Sequence, residues 1–198
     1  MLIEEEVGRA GKYVEELRLS VHELNIPNNS RTRAAGSCFA IAQEHHHAIV
    51  RLSEWKLFAA AFALIRIEFE AYIRGEWLSQ CASDSVVEAF LQGKEPPKID
   101  CLLAELEMLG SFKQNVLSQI QQKTWKSMCS YTHTGGLLVQ RWNTGDRIEA
   151  NYSRDEVLEV VKFAEIIASL AVIGVARLAG YDGLALRTLE AFKNRVEA

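Results

Sequence analysis

Residues 57–78 and 157–178 carry apolar side chains around nearly the whole circumference of a helix, not along a single stripe. Neither stretch contains a proline, and each is too long for an ordinary strand. A helix that is apolar all round in a chain without membrane spans must be enclosed by other helices. The chain has only three prolines in 198 residues, two of them adjacent at Pro96 and Pro97, so long helices meet few interruptions. The expected fold is therefore all-α: one domain spanning residues 1–198, a bundle of at least five helices with these two in the middle.

The punctuation between the apolar patterns supplies the other helices. A first helix is expected over about residues 2–24, with Val7, Val14, Leu17, Val21 and Leu24 on one face, and a second from after Ser30 to about Leu52. Ser53 reads as the N-cap of a third helix running through Trp77. A short helix over 85–91 precedes the proline pair, another covers 99–109, and Ser111 is expected to cap the helix that leads to His133. Ser153 and Glu156 have capping-box spacing and open a helix to about Ala179, where Gly180 ends it before a terminal helix over 184–196. The exception lies near 137–152. Leu138, Gln140 and Trp142 alternate with Val139 and Arg141 ahead of an Asn-Thr-Gly-Asp turn, which suggests a short hairpin or ordered loop.

Several function classes are disfavoured by composition. The acidic N-terminus, with no apolar segment behind it, does not read as a secretory signal. The longest apolar run, residues 166–176, is too short to cross a bilayer, so no membrane partner is expected. Cys38, Cys81, Cys101 and Cys129 are widely spaced within apolar helical patterns and read as reduced core residues of a cytoplasmic protein. The net charge of −4 argues against general nucleic-acid coating. Residues 111–147 are nonetheless locally basic, with Lys113, Lys123, Lys126, Arg141 and Arg147 against Asp146 alone.

Arg66, Glu70 and Arg74 recur every four residues within the first all-apolar helix. At about 100° per residue they drift only slightly and form one stripe, which must meet water, a polar partner or a ligand. The readings are an ion-pair ladder on a part-exposed edge or a polar pocket. His133 stands where a helix runs into Gly135-Gly136, close to Tyr131, and can cap that end or act as a neutral base. The run Glu44-His45-His46-His47 invites a metal, but successive histidines point about 100° apart, so a solvated face is the better reading and no metal is expected. The Glu4-Glu5-Glu6 run reads as a solvated helix start favoured by the helix dipole. The four tryptophans, Trp55, Trp77, Trp125 and Trp142, read as core or interface anchors.

Arg66 and Glu70 in an apolar helix, the Tyr131-x-His133-x-Gly135-Gly136 helix end and the segment that follows resemble an uncharacterised bacterial family of helical proteins with a domain of unknown function. The likeness spans roughly residues 54–179. That family is in turn similar to HEPN-like bundles, some of which are metal-independent ribonucleases of toxin–antitoxin and phage-defence systems. The resemblance implies an all-helical bundle with a polar cluster drawn from Arg66, Glu70 and His133. The HEPN nucleases use an arginine separated from a histidine by four to six intervening residues. Counting back from His133 over that window reaches Met128, Ser127 and Lys126, so the arginine of that motif is missing here.

The functional expectation is a non-catalytic binding or interaction module. Its cluster is Arg66, Glu70, Arg74, Tyr131, His133 and Arg141, and its ligand a small anion, a nucleotide or a partner segment. The alternative is a HEPN-like ribonuclease with His133 as acid/base and Arg66 on the phosphate. No cofactor is expected, nucleic acid is left open as a partner, and apolar faces on the first or last helix leave a homodimer open.

Overall fold

The computed structural model describes residues 3–110 and 112–197, and among these it contains nine α-helices and no strand. They are α1 (Ile3–Val21), α2 (Ser30–Glu54), α3 (Phe58–Gln80), α4 (Asp84–Leu91), α5 (Ile99–Met108), α6 (Val116–Thr132), α7 (Gly136–Gln140), α8 (Arg154–Leu178) and α9 (Asp182–Glu197). Among the described residues no helix is long and apolar enough to cross a membrane.

Helix ends follow local chemistry. Asn29 and Thr32 form a capping box at the start of α2, and Ser153 and Glu156 form the expected one at α8. Ser53 is a correction. It lies buried inside α2, where its hydroxyl donates to the Ile49 carbonyl at 2.8 Å, a bond open to any helix-internal serine. The reversal into α3 comes later, at Trp55 to Leu57, with Lys56 in left-handed backbone (φ 59°). The cap expected at Ser111 falls outside the described residues. A 3₁₀ turn at Lys113–Asn115 leads into α6, and Glu107 of α5 accepts from both the amide (2.8 Å) and the hydroxyl (2.6 Å) of Ser118 in its first turn. Leu138 and Gln140 of the alternation prove to belong to a helical turn, α7, whose Leu137 amide donates to the Ser130 hydroxyl, and Trp142 lies just beyond it. The expected ordered loop follows it, with an antiparallel bridge between Asn143 and Ile148.

The two all-round apolar helices are α3 and α8, and α2 joins them at the centre. Phe39 of α2 is fully buried where the three meet. A Cβ at Gly75 of α3 would stand 2.6 Å from its ring, and one at Gly174 of α8 2.5 Å away. Glycine inside a helix costs roughly 0.5–1 kcal/mol relative to alanine, and here it lets two backbones close on one aromatic ring. The other helices cover this trio: α1 on α2 and α8, α9 on α8, α4 on α2, and α5 and α6 on α3.

Several polar residues expected at the surface are inside. Glu6 is buried, and Arg195 of α9 joins it at 2.5 Å and Glu165 of α8 at 2.9 Å, tying three helices together. Only Glu4 and Glu5 of the acidic run are solvated. His46 is also buried, against the expectation of a solvated histidine face. Cys38 is a core residue, Cys81 and Cys129 are half-buried and Cys101 is exposed. Trp77 is buried as an anchor, whereas Trp55 and Trp142 are exposed. Glu68 on α3 is fully buried, and neither carboxylate oxygen has a hydrogen-bond partner. Burial alone pushes its pKa well above the ordinary carboxylate range, so it sits in the core as a neutral acid.

Two stability outcomes follow. Gly174→Ala should lose about 1–3 kcal/mol in urea denaturation through overpacking against Phe39, and Phe39→Leu in the same chain should recover part of it. Glu68 fits the core only when protonated, whereas the unfolded carboxyl ionises near 4.5. Its contribution is therefore complete below that pH and declines as pH rises toward the folded-state value, by at most about 1.4 kcal/mol per pH unit. Glu68→Gln should flatten that decline in a pH series of denaturation curves.

Candidate binding site at the end of helix α6

Arg66, Glu70 and Arg74 occupy successive turns of α3, as their spacing dictates. Glu70 divides its carboxylate between the two arginines. One oxygen accepts from Arg66 Nε at 2.8 Å and the other from Arg74 Nη2 at 2.7 Å. Side-chain exposures of 21%, 15% and 32% place the stripe at a part-exposed edge. Each pair alone contributes little in such a setting. The local balance matters more, because two guanidinium groups share one carboxylate.

Helix α6 brings the imidazole to this edge. Thr132 near its end donates to the Ala63 carbonyl of α3 at 3.1 Å, and the Arg66 guanidinium lies over the Trp125 ring, 4.6 Å from its centroid. His133 caps the helix, its amide bonded to the Cys129 carbonyl at 3.0 Å, and Thr134 follows in left-handed backbone (φ 52°). Gly135 then donates to the Ser130 carbonyl at 2.7 Å, so closely that an added Cβ would fall 3.0 Å from the Ser130 Cα. Gly135 is thus what lets the chain fold back beneath α6.

His133 Nε2 stands 2.6 Å from Arg66 Nη1. A guanidinium can only donate, so in this arrangement Nε2 is the acceptor, which assigns the ring hydrogen to Nδ1. The ring itself is exposed. Carboxylate, two guanidinium groups and imidazole form one continuous polar chain across α3 and α6.

Tyr131 and Arg141 belong to a second cluster. Arg141 Nη2 bonds the Glu156 carboxylate, the same side chain that completes the α8 capping box. The Tyr131 ring meets Phe62 edge-on at 5.2 Å, and Phe62 meets Tyr152 at 5.0 Å. Burial raises the Tyr131 hydroxyl above the usual phenol range. Burial also pushes Glu156 upward, but the Ser153 amide and hydroxyl and the Arg141 guanidinium outweigh it and hold the carboxyl below its ordinary value. Tyr131 and Glu156 line a cavity of about 190 Å³ between α3, α6 and α8, to which Arg66, Glu70, Arg74 and His133 contribute nothing. The structure therefore brings four of the six expected residues together and separates the other two.

Sequence reasoning missed two partners. Trp125 was legible as an anchor, but nothing local pairs it with Arg66. Glu156 was legible as a capping residue, not as the counter-charge of Arg141. In the histidine run, His47 Nε2 accepts from Arg51 at 3.2 Å, and among the described residues no three His, Cys, Asp or Glu side chains are placed to hold a metal. The pairing across α3 and α6 has a direct signature. Nitrogen-15 NMR of wild type should show His133 as the Nδ1–H tautomer, and Arg66→Ala should lose that preference together with about 1–2 kcal/mol of stability.

No curated protein and no solved structure matches this chain. A family profile does match, over residues 39–196, which takes in all of both clusters, and the chain belongs to this family, DUF6988, a family of unknown function.

Proposed function

We propose that the chain is a non-catalytic binding module for a small anion of phosphate or carboxylate type, held by Arg66, Arg74 and His133. The supporting observation is the shared carboxylate. Glu70 neutralises one of two guanidinium groups, and one positive charge is left over at a part-exposed edge. Lys126, exposed and seven residues before His133 on the same face of α6, adds to that field. Tyr131 and Arg141 are left out of the ligand set because Arg141 is committed to Glu156.

The HEPN-like ribonuclease is the second reading, and the 2.6 Å approach of Arg66 to His133 favours it. Its chemistry is harder to run here. The Nε2 lone pair is taken by Arg66 and Nδ1 carries a proton, so His133 has no free site with which to accept one from a ribose hydroxyl.

Titration with inorganic phosphate and AMP at low salt, followed at the His133 imidazole, separates the two. Wild type should bind, Arg74→Ala should bind roughly tenfold more weakly, and Glu70→Gln should bind more tightly because the internal competitor is gone. Loss of binding in a folded Glu70→Gln variant would reduce the cluster to scaffolding. RNA cleavage that disappears in His133→Ala would establish the nuclease.

A further inference from the structure

Helices α6 and α8 both pack on α3 but make little contact with each other, which leaves a cleft between them with α3 as its floor. This cleft is the cavity of about 190 Å³ beside Tyr131, separate from the anion site proposed above. Helical spacing sets its walls. Lys123, Ser127 and Tyr131 recur every four residues on α6, and Glu156, Glu159, Val160 and Phe163 share one face of α8. The floor is apolar, with Phe62 and Ile65 of α3 next to Met128 of α6.

The polar groups of the walls divide into committed and free ones. Glu156 is bonded by Arg141 and closes the α8 capping box, and the Thr124 hydroxyl donates to the Ile120 carbonyl at 2.7 Å. Lys123 and Glu159 are exposed, and among the described residues neither has a hydrogen bond or an ion pair. Burial raises the Tyr131 hydroxyl, Arg141 pulls it back, and the carboxylates of Glu156 and Glu159 push it up again, so the Glu159 carboxylate lies toward the Tyr131 side of the cleft. A free ammonium on one wall and a free carboxylate on the other thus border one apolar floor, and the chain does not join them to each other. The acidic groups oppose a plain anion, and Lys123 opposes a plain cation. A molecule with both charges at one end and an apolar group at the other matches all three surfaces.

We propose that the cleft between α6 and α8 binds a free α-amino acid with a large apolar side chain. The side chain lies on Phe62, Met128 and Phe163, the ammonium meets Glu159 and the carboxylate meets Lys123. The cavity is smaller than the roughly 300–1,000 Å³ usual for drug-sized ligands, which suits one amino acid and not a helix of a partner protein. Each charge pair is solvent-exposed and contributes little alone, so the selectivity is severalfold and draws on both.

The test is an NMR titration of the full chain, labelled at its methionine methyls, with L-phenylalanine, phenethylamine and 3-phenylpropionate. The second compound lacks the carboxylate and the third lacks the ammonium. L-phenylalanine should shift the Met128 methyl and bind at least about threefold more tightly than either analogue. Glu159→Gln should erase its advantage over 3-phenylpropionate, and Lys123→Gln its advantage over phenethylamine. Ser127→Phe, which fills the cleft from the α6 wall, should abolish binding of all three. Equal binding of the three compounds by wild type would overturn the assignment, as would tighter binding of phenethylamine, which would make the cleft a site for a simple amine. Binding that leaves the Met128 methyl unmoved, or no binding by any of the three, would overturn it as well.

Discussion

Phe39 lies between the backbones of α3 and α8, and the glycines at 75 and 174 are what allow it to be there. Closing two helices on one ring fixes their separation and their rotation together, because a bulkier residue at either glycine would force the ring out of its place. Once α3 is set in this way, its Phe69, Tyr72 and Ile73 turn inward. The Arg66–Glu70–Arg74 stripe must then face the one side that α2 and α8 leave uncovered. Helix α6 lies against α3, and its last turn completes the polar cluster. The site's position is thus a consequence of packing some distance away.

The interior sorts its charged groups by whether a partner reaches them. Glu76 is buried, yet Arg177 and Gln80 meet its carboxylate at 2.7 and 2.5 Å, and Glu6 and Glu165 share Arg195. Such pairs recover part of the desolvation penalty and pin neighbouring helices in register. Glu68 and His46 have no such partner, and both escape the penalty by being neutral, one by holding its proton and the other by losing it. The same burial thus drives an acid and a base in opposite directions on the pH scale.

What was legible in the sequence was whatever is encoded within a few residues. The circumferential apolar pattern of α3 and α8, the Ser153–Glu156 capping box and the Arg66–Glu70–Arg74 stripe all rest on helical geometry, and each is where the spacing puts it. Ser53 was misleading because a serine ahead of an apolar run has two local uses, capping the next helix or bonding back within its own, and the choice depends on where the chain reverses. His46 and Glu6 were misleading because polar letters read as solvent-facing, whereas both lie in the interior, Glu6 against Arg195 almost at the other end of the chain. The joining of Arg66 to His133, 67 positions apart, and its stacking on Trp125 carry no local signal at all.

If the cluster is the anion site proposed above, its chemistry turns on Glu70 being an internal competitor. An anion arriving at Arg74 would have to displace a carboxylate already bonded at 2.7 Å, so affinity would be set by the difference between two similar interactions and not by the strength of either. Such a site is naturally weak and exchangeable. On the proposed reading it would favour ligands that offer more acceptor oxygens than one carboxylate does, which a phosphate group satisfies and a monocarboxylate only matches. Arg66 contributes differently. Held by Glu70, His133 and the Trp125 face at once, it is the least able to rearrange, and on the proposed reading it would serve as the fixed wall against which the more exposed Arg74 closes.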